Sequence, residues 1–146
     1  MRAALIALAV LVVGCGGAGE PRVVARDAGG AVVAEARLPA DGHFALSYRH
    51  SVYAAPATER FRATKDGFVL ESVASPSAAV IDYYALDGAR TRVGGEWVVT
   101  PSRPAVFETM ALAATRRGQR TLLAGPDRVP LFGHAAVHLR LAVEGT

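Results

Sequence analysis

The stretch Val137-His138-Leu139-Arg140-Leu141-Ala142-Val143-Glu144 alternates with a period of two. Val, Leu, Leu and Val fall on one face; His, Arg, Ala and Glu fall on the other. Successive side chains leave an extended backbone on opposite sides, so this period marks a half-buried β-strand. The same rhythm recurs upstream. His43 to Arg49 holds Phe44, Leu46 and Tyr48 in phase, Gly67 to Val73 holds Phe68 and Leu70, and Glu96 to Thr100 carries Trp97, Val98 and Val99. Arg22–Asp27 and Ala31–Leu38 read the same way. Turn signals separate these runs: Lys65-Asp66-Gly67, Arg116-Arg117-Gly118-Gln119, and Pro126-Asp127-Arg128 before Val129-Pro130-Leu131. Asp-Gly is a strong hairpin signal because glycine accepts positive φ without steric cost. Val106 to Arg116 contains MALAATRR, which has helical propensity, but Val106, Phe107 and Thr109 are β-formers and favour a strand. No window carries a helical stripe of ten or more residues. The expectation is an all-β fold, an antiparallel β-sandwich or partly open barrel of about eight to ten short strands.

The chain of 146 residues is 51% hydrophobic and 20% charged, with a formal net charge of +3. That length allows one compact domain. The basic residues are scattered and form no run that could track phosphates, so nucleic acid is not an expected partner.

The N-terminus carries an address. Met1 and Arg2 precede eleven apolar residues, Ala3 to Val13, whose last two open the sequence Val12-Val13-Gly14-Cys15-Gly16-Gly17. Eleven helical residues span about 16 Å, half of a bilayer's hydrocarbon core, which suits an export signal better than a membrane span. The small residues before Cys15 resemble the bacterial lipobox, in which the cysteine is lipidated and becomes the new first residue. Cys15 is the only cysteine, and lipidation gives a lone exported thiol a role. The expected organisation is therefore a lipoprotein signal at residues 1–14, a lipidated Cys15 with a flexible tether at 15–21, and one β domain at 22–146. The protein would sit in the bacterial cell envelope, held extracytoplasmically on a membrane by its acyl chains. Which membrane carries it is open, since the residue after Cys15 is Gly and gives no Asp retention signal.

The candidate functional stretch lies between His50 and Glu59, with Arg49 beside it. Tyr48-Arg49-His50-Ser51-Val52 ends one strand, Tyr53 to Pro56 turns, and Ala57 to Thr64 begins the next. By parity, His50 is in phase with Phe44, Leu46 and Tyr48, and Glu59 with Phe61 and Ala63. Both would face the apolar side near the same end of one hairpin. A buried carboxylate needs a partner, so His50 and Glu59 are expected to interact, with Ser51 capping the turn.

His50-Ser51-Val52, Pro56 and Glu59, followed by Phe61 and the Gly67–Glu71 strand, resemble the signature of the bacterial domain-of-unknown-function family numbered eighteen-fifty. The likeness continues through Arg120–Leu131, which reads TLLAGPDRVPL from Thr121, and covers about residues 35–133. The family's usual glycine-rich stretch is here Ser77-Ala78-Ala79-Val80-Ile81-Asp82-Tyr83-Tyr84. Its members are small exported proteins associated with TAXI-type TRAP transporters and have no established activity. The resemblance implies a non-enzymatic accessory to solute uptake, whose partner is a TRAP membrane subunit or a solute-binding protein.

Two alternatives come from the residues themselves. A small-carboxylate-binding module would use the positive charge of Arg49 and His50. A small hydrolase would use His50 and Glu59 for acid–base work, with Ser51 nearby. Ser51 directly follows His50, so an extended strand would point the two side chains apart, and no Gly-x-Ser-x-Gly elbow is present. No catalytic residue is therefore assigned. No cofactor is implied, and His43, His50, His134 and His138 lack zinc-ligand spacing, so no metal is expected. Asp82-Tyr83-Tyr84 could line a binding rim.

Overall fold

The computed structural model describes residues 19–145. The signal segment, Cys15 and the first part of the tether lie outside the described residues. Among those described, no helix is long and apolar enough to cross a membrane.

The fold is all-β, with two antiparallel sheets and one short helix. The first sheet joins β1 (Arg22–Arg26), β2 (Val32–Arg37), β9 (Thr109–Ala113) and β12 (His138–Glu144) in the order β2-β1-β12-β9. The second contains β3 (His43–Arg49), β4 (Pro56–Thr64), β5 (Gly67–Ser75), β6 (Gly88–Val93) and β7 (Glu96–Pro101). It also takes in β8 (Val106–Phe107), β10 (Thr121–Ala124) and β11 (Asp127–Pro130). Its order is β11-β10-β3-β4-β5-β7-β6, with β8 paired to β5. Neither sheet closes on itself, so the open sandwich is the correct member of the expected pair.

The described residues form twelve strands, more than the eight to ten expected. One reason is that the run read as a single strand from Val106 is divided at Glu108. Phe107 pairs with Phe68 in the second sheet, while Met110 and Leu112 pair with β12 in the first. The other is β6, every residue of which is exposed, so that it has no alternation to read. It forms a hairpin with β7 through Gly94-Gly95, both at positive φ, as a two-residue turn of this hand requires. Its outward Arg90 and Arg92 discourage further strand addition at that open edge.

The two sheets close over one core. Val23, Ala25, Leu139 and Leu141 from the first sheet meet Phe44, Leu46, Phe61, Phe68 and Val73 from the second. Phe44 stacks on Phe61 at 5.2 Å, and Phe68 meets Phe44 edge-on at 5.4 Å. Along β5 the inward residues are spaced Phe68, Leu70, then Val73. A bulge accounts for the change of step: Phe61 pairs with Leu70 but Arg60 with Ser72, leaving Glu71 as the extra residue.

The helix α1 (Ala78–Tyr83) occupies the place of the expected glycine-rich stretch. Val80 and Ile81 are buried against the core, and this anchors the helix so that Tyr83 and Tyr84 are delivered to the end of β3. Ser75 fixes its start. The Ser75 hydroxyl donates to the Pro56 carbonyl at 2.7 Å and accepts from the Ser77 N–H at 3.1 Å.

Candidate functional site

Glu59 and His50 lie near the same end of the β3–β4 hairpin, but they share no hydrogen bond or ion pair. The expected His50–Glu59 interaction is replaced by two separate arrangements. Parity was right about the face: Glu59 is directly opposite Leu46, a fully buried residue. It could not identify the partner.

Glu59 belongs to a half-closed polar ring under the end of the sheet. Tyr84 donates its O–H to Glu59 Oε1 at 2.6 Å, and Arg120 Nη1 reaches Glu59 Oε2 at 3.3 Å. The Tyr48 hydroxyl meets that of Tyr84; because Tyr84 donates to the carboxylate, Tyr48 donates to Tyr84. Arg120 closes the ring by lying over the face of Tyr48, 4.3 Å from the ring centroid. The side chains of Arg120 and Glu59 are only 17% and 14% exposed. Arg120 Nε is buried with no hydrogen-bond partner among the described residues. The ring draws on β3, β4, the end of α1 and the residue before β10, so it ties four separated parts of the chain together. A carboxylate committed to a phenol and a guanidinium is not a free general base.

Burial, followed by the negative charge of Glu59, pushes both the Tyr48 and the Tyr84 phenols above the ordinary tyrosine range. Folding therefore favours the neutral phenols. Their contribution is complete below the unfolded-state value of 10.0 and is lost as pH rises above it toward the folded values. Urea midpoints should consequently fall between pH 9 and pH 11, and Tyr84→Phe should flatten that slope while costing about 1–3 kcal/mol at pH 7 through the unpaired oxygen it leaves. Equal slopes in both proteins would remove Tyr84 as the source.

His50 organises the turn instead. Its N–H donates to the Ala55 carbonyl at 2.8 Å, and its carbonyl accepts from the Ala54 N–H at 2.9 Å. Its ring Nδ1 lies 3.3 Å from the Val52 N–H and 3.4 Å from the Tyr53 N–H. The capping expected of Ser51 is thus done by His50, and Ser51 is exposed. His50 is 5% exposed, its imidazole held edge-on to Tyr83 at 4.6 Å and beside Tyr53 at 5.3 Å. Around it, Val52, Tyr53 and Tyr83 are 64%, 45% and 62% exposed. A stiff turn therefore displays a small apolar and aromatic surface on a buried histidine.

Arg49 and Pro56 are paired across the strands and exposed, on the opposite face of the sheet from Glu59. The structure thus divides the anticipated cluster. Glu59 lies inside, His50 lies under the aromatic turn, Ser51 is outside, and Arg49 with Pro56 is on the outer face. It assembles no Ser–His–Glu triad. The sequence reading reaches Tyr84 only as part of the Asp82-Tyr83-Tyr84 rim, and it does not reach Tyr48, Arg120 or Ser75 as site residues. His138 opens β12, and His134 lies before it with Nε2 3.4 Å from the Pro130 carbonyl.

The family model described as "Domain of unknown function (DUF1850)" matches residues 44–131. The match contains the His50–Pro56 turn, Glu59, α1 and Arg120. No curated protein and no solved structure matches the chain.

Proposed function

This chain belongs to the domain-of-unknown-function family DUF1850, and we propose that it is a lipid-anchored, extracytoplasmic, non-enzymatic accessory to TRAP-type solute uptake. The observation that carries this reading is the aromatic turn. Val52, Tyr53 and Tyr83 stand exposed on a backbone fixed by His50, and rigid tyrosines are enriched among the residues that dominate protein–protein contacts. Such a surface loses little conformational entropy on docking.

Its position suits an anchored protein. The chain enters the domain at Pro21, whose carbonyl accepts from the Leu38 N–H just after β2, in the segment that leads into β3. The aromatic turn follows the far end of β3, and that strand's seven residues span roughly 20 Å. A tether on Cys15 would hold one end of the domain at the membrane and leave the aromatic end free for a protein partner. Confinement at the membrane raises the effective concentration of that partner.

Two measurements test the proposal. Palmitate labelling should be found in the wild type and lost in Cys15→Ser. Crosslinking on native membranes, read by mass spectrometry, should capture a TRAP membrane subunit or solute-binding protein. Tyr53→Ala/Tyr83→Ala should reduce that capture at least tenfold with an unchanged circular dichroism spectrum. Absence of both transporter components, or equal capture by the double variant, would overturn the docking assignment.

A further inference from the structure

We infer that the outer face of the β3–β4 hairpin holds a shallow binding basin for a small carboxylate. The inference is independent of the docking reading and uses a different surface.

The basin has a volume of about 370 Å³ and is lined by Ser47, Arg49, Pro56, Thr58 and Gln119, with the backbone of the paired strands as its floor. The register assembles it. Ser47 is directly opposite Thr58, and Arg49 is opposite Pro56. Residues two apart on a strand share a face, so all four side chains project outward together. The neighbouring loop brings Gln119 to the rim. Arg49 donates its backbone N–H to the Gly118 carbonyl at 2.7 Å, and the loop is closed by Gly118 N–H to Thr115 Oγ1 and Gln119 N–H to the Thr115 carbonyl. These bonds hold Gln119 at a φ of 49°, a conformation that costs a non-glycine residue roughly 1–2 kcal/mol.

The lining is rich in donors and carries one fixed positive charge. Two hydroxyls, a primary amide and a guanidinium can all donate, and a carboxylate is acceptor-only with about four lone-pair sites. Among the described residues, the side chains of Ser47, Arg49, Thr58 and Gln119 have no hydrogen-bond or ion-pair partner, and no carboxylate lines the basin. Arg60 lies on the same face two residues beyond Thr58, and adds positive charge. Glu59 is on the other side of the sheet, committed to Tyr84 and Arg120. The ring of Pro56, on the same outer face, would accommodate the few carbon atoms of a short organic acid. His50 has no part in it, because its ring faces the aromatic turn.

The test is a titration of the ¹⁵N-labelled full chain in detergent with acetate, succinate and inorganic phosphate, each against sodium chloride at equal ionic strength. Acetate or succinate should give saturable shifts confined to residues 47–49, 56–58 and 118–119, with a low-millimolar Kd. Arg49→Gln and Thr58→Val should each weaken binding at least fivefold, while Arg128→Gln and Tyr83→Ala should leave it unchanged. Shifts with phosphate alone would overturn the carboxylate assignment. No saturable shift with any probe, or equal binding by Arg49→Gln, would overturn the site itself. The unchanged Tyr83→Ala separates this result from the fate of the docking proposal.

Discussion

Glu59→Ala should lose about 3 kcal/mol of stability, read as a lower urea midpoint at pH 7 with an unchanged slope. Removing the carboxylate leaves the Arg120 guanidinium largely enclosed without its counter-charge, and its Nε already has no partner among the described residues. It also leaves the Tyr84 O–H without its acceptor. The pair is not fully buried, so water entering at the rim limits the loss to the lower end of the range for a broken interior ion pair. Glu59→Gln keeps an acceptor for Tyr84 and should cost less, about 1–2 kcal/mol. Adding Arg120→Met to Glu59→Ala should recover part of the loss, since the stranded charge is then gone. The cycle should give a coupling energy above 1 kcal/mol. A loss under 1 kcal/mol for Glu59→Ala alone would show that the ring contributes little to stability.

This ring also places Glu59 in relation to function. It supports the end of β3 and the C-terminal end of α1, which in turn carry His50 and Tyr83. A folded Glu59 variant that failed to dock would therefore be acting through the aromatic turn, not through contact with a partner. Tyr83→Ala, exposed and outside the ring, separates the two roles.

The strands were legible because one face of each is buried. Phe44, Leu46 and Tyr48, then Leu139 and Leu141, keep the period of two wherever a sheet has a wet side and a dry side. The exceptions have physical causes. β6 is exposed on both faces and shows no period, although Gly94-Gly95 was a hairpin signal available in the sequence. α1 is too short for a helical stripe and is set by two buried residues, Val80 and Ile81. At Glu108 the chain changes sheets without a break in composition, so one apparent strand became two. Partnership was harder than burial. Parity placed Glu59 inside, but Arg120 is 61 residues away and Tyr84 is 25 away, and only the assembled sheets bring them together. His50 was drawn to Glu59 by proximity in sequence, whereas the nearest groups able to use its Nδ1 are the amides of its own turn.

Gly67→Ala should be more damaging than its place beside a hairpin turn suggests. The Lys65-Asp66-Gly67 sequence signals a turn, and Gly67 does sit at a φ of 139°. The backbone conformation is only the first reason that glycine is required. A Cβ at Gly67 would fall 2.0 Å from the Phe107 carbonyl oxygen, 2.9 Å from its carbonyl carbon and 3.0 Å from Glu108 Cα. All three are backbone atoms, so no rotamer change can relieve the overlap. β8 would have to move away from β5, and with it Phe107, which stacks on Phe68 at 5.5 Å. Positive φ and overpacking together should cost about 3 kcal/mol or more. Gly95→Ala supplies the comparison: its φ is 87°, but nothing lies within 4 Å of the added Cβ. Strain alone should then cost about 1–2 kcal/mol. Hydrogen exchange should localise the difference, since the Leu70 N–H donates to the Ala105 carbonyl at 3.0 Å and should lose protection in Gly67→Ala while keeping it in Gly95→Ala. Equal losses of stability in the two variants, with Leu70 still protected, would mean that the close approach of β8 does not constrain Gly67.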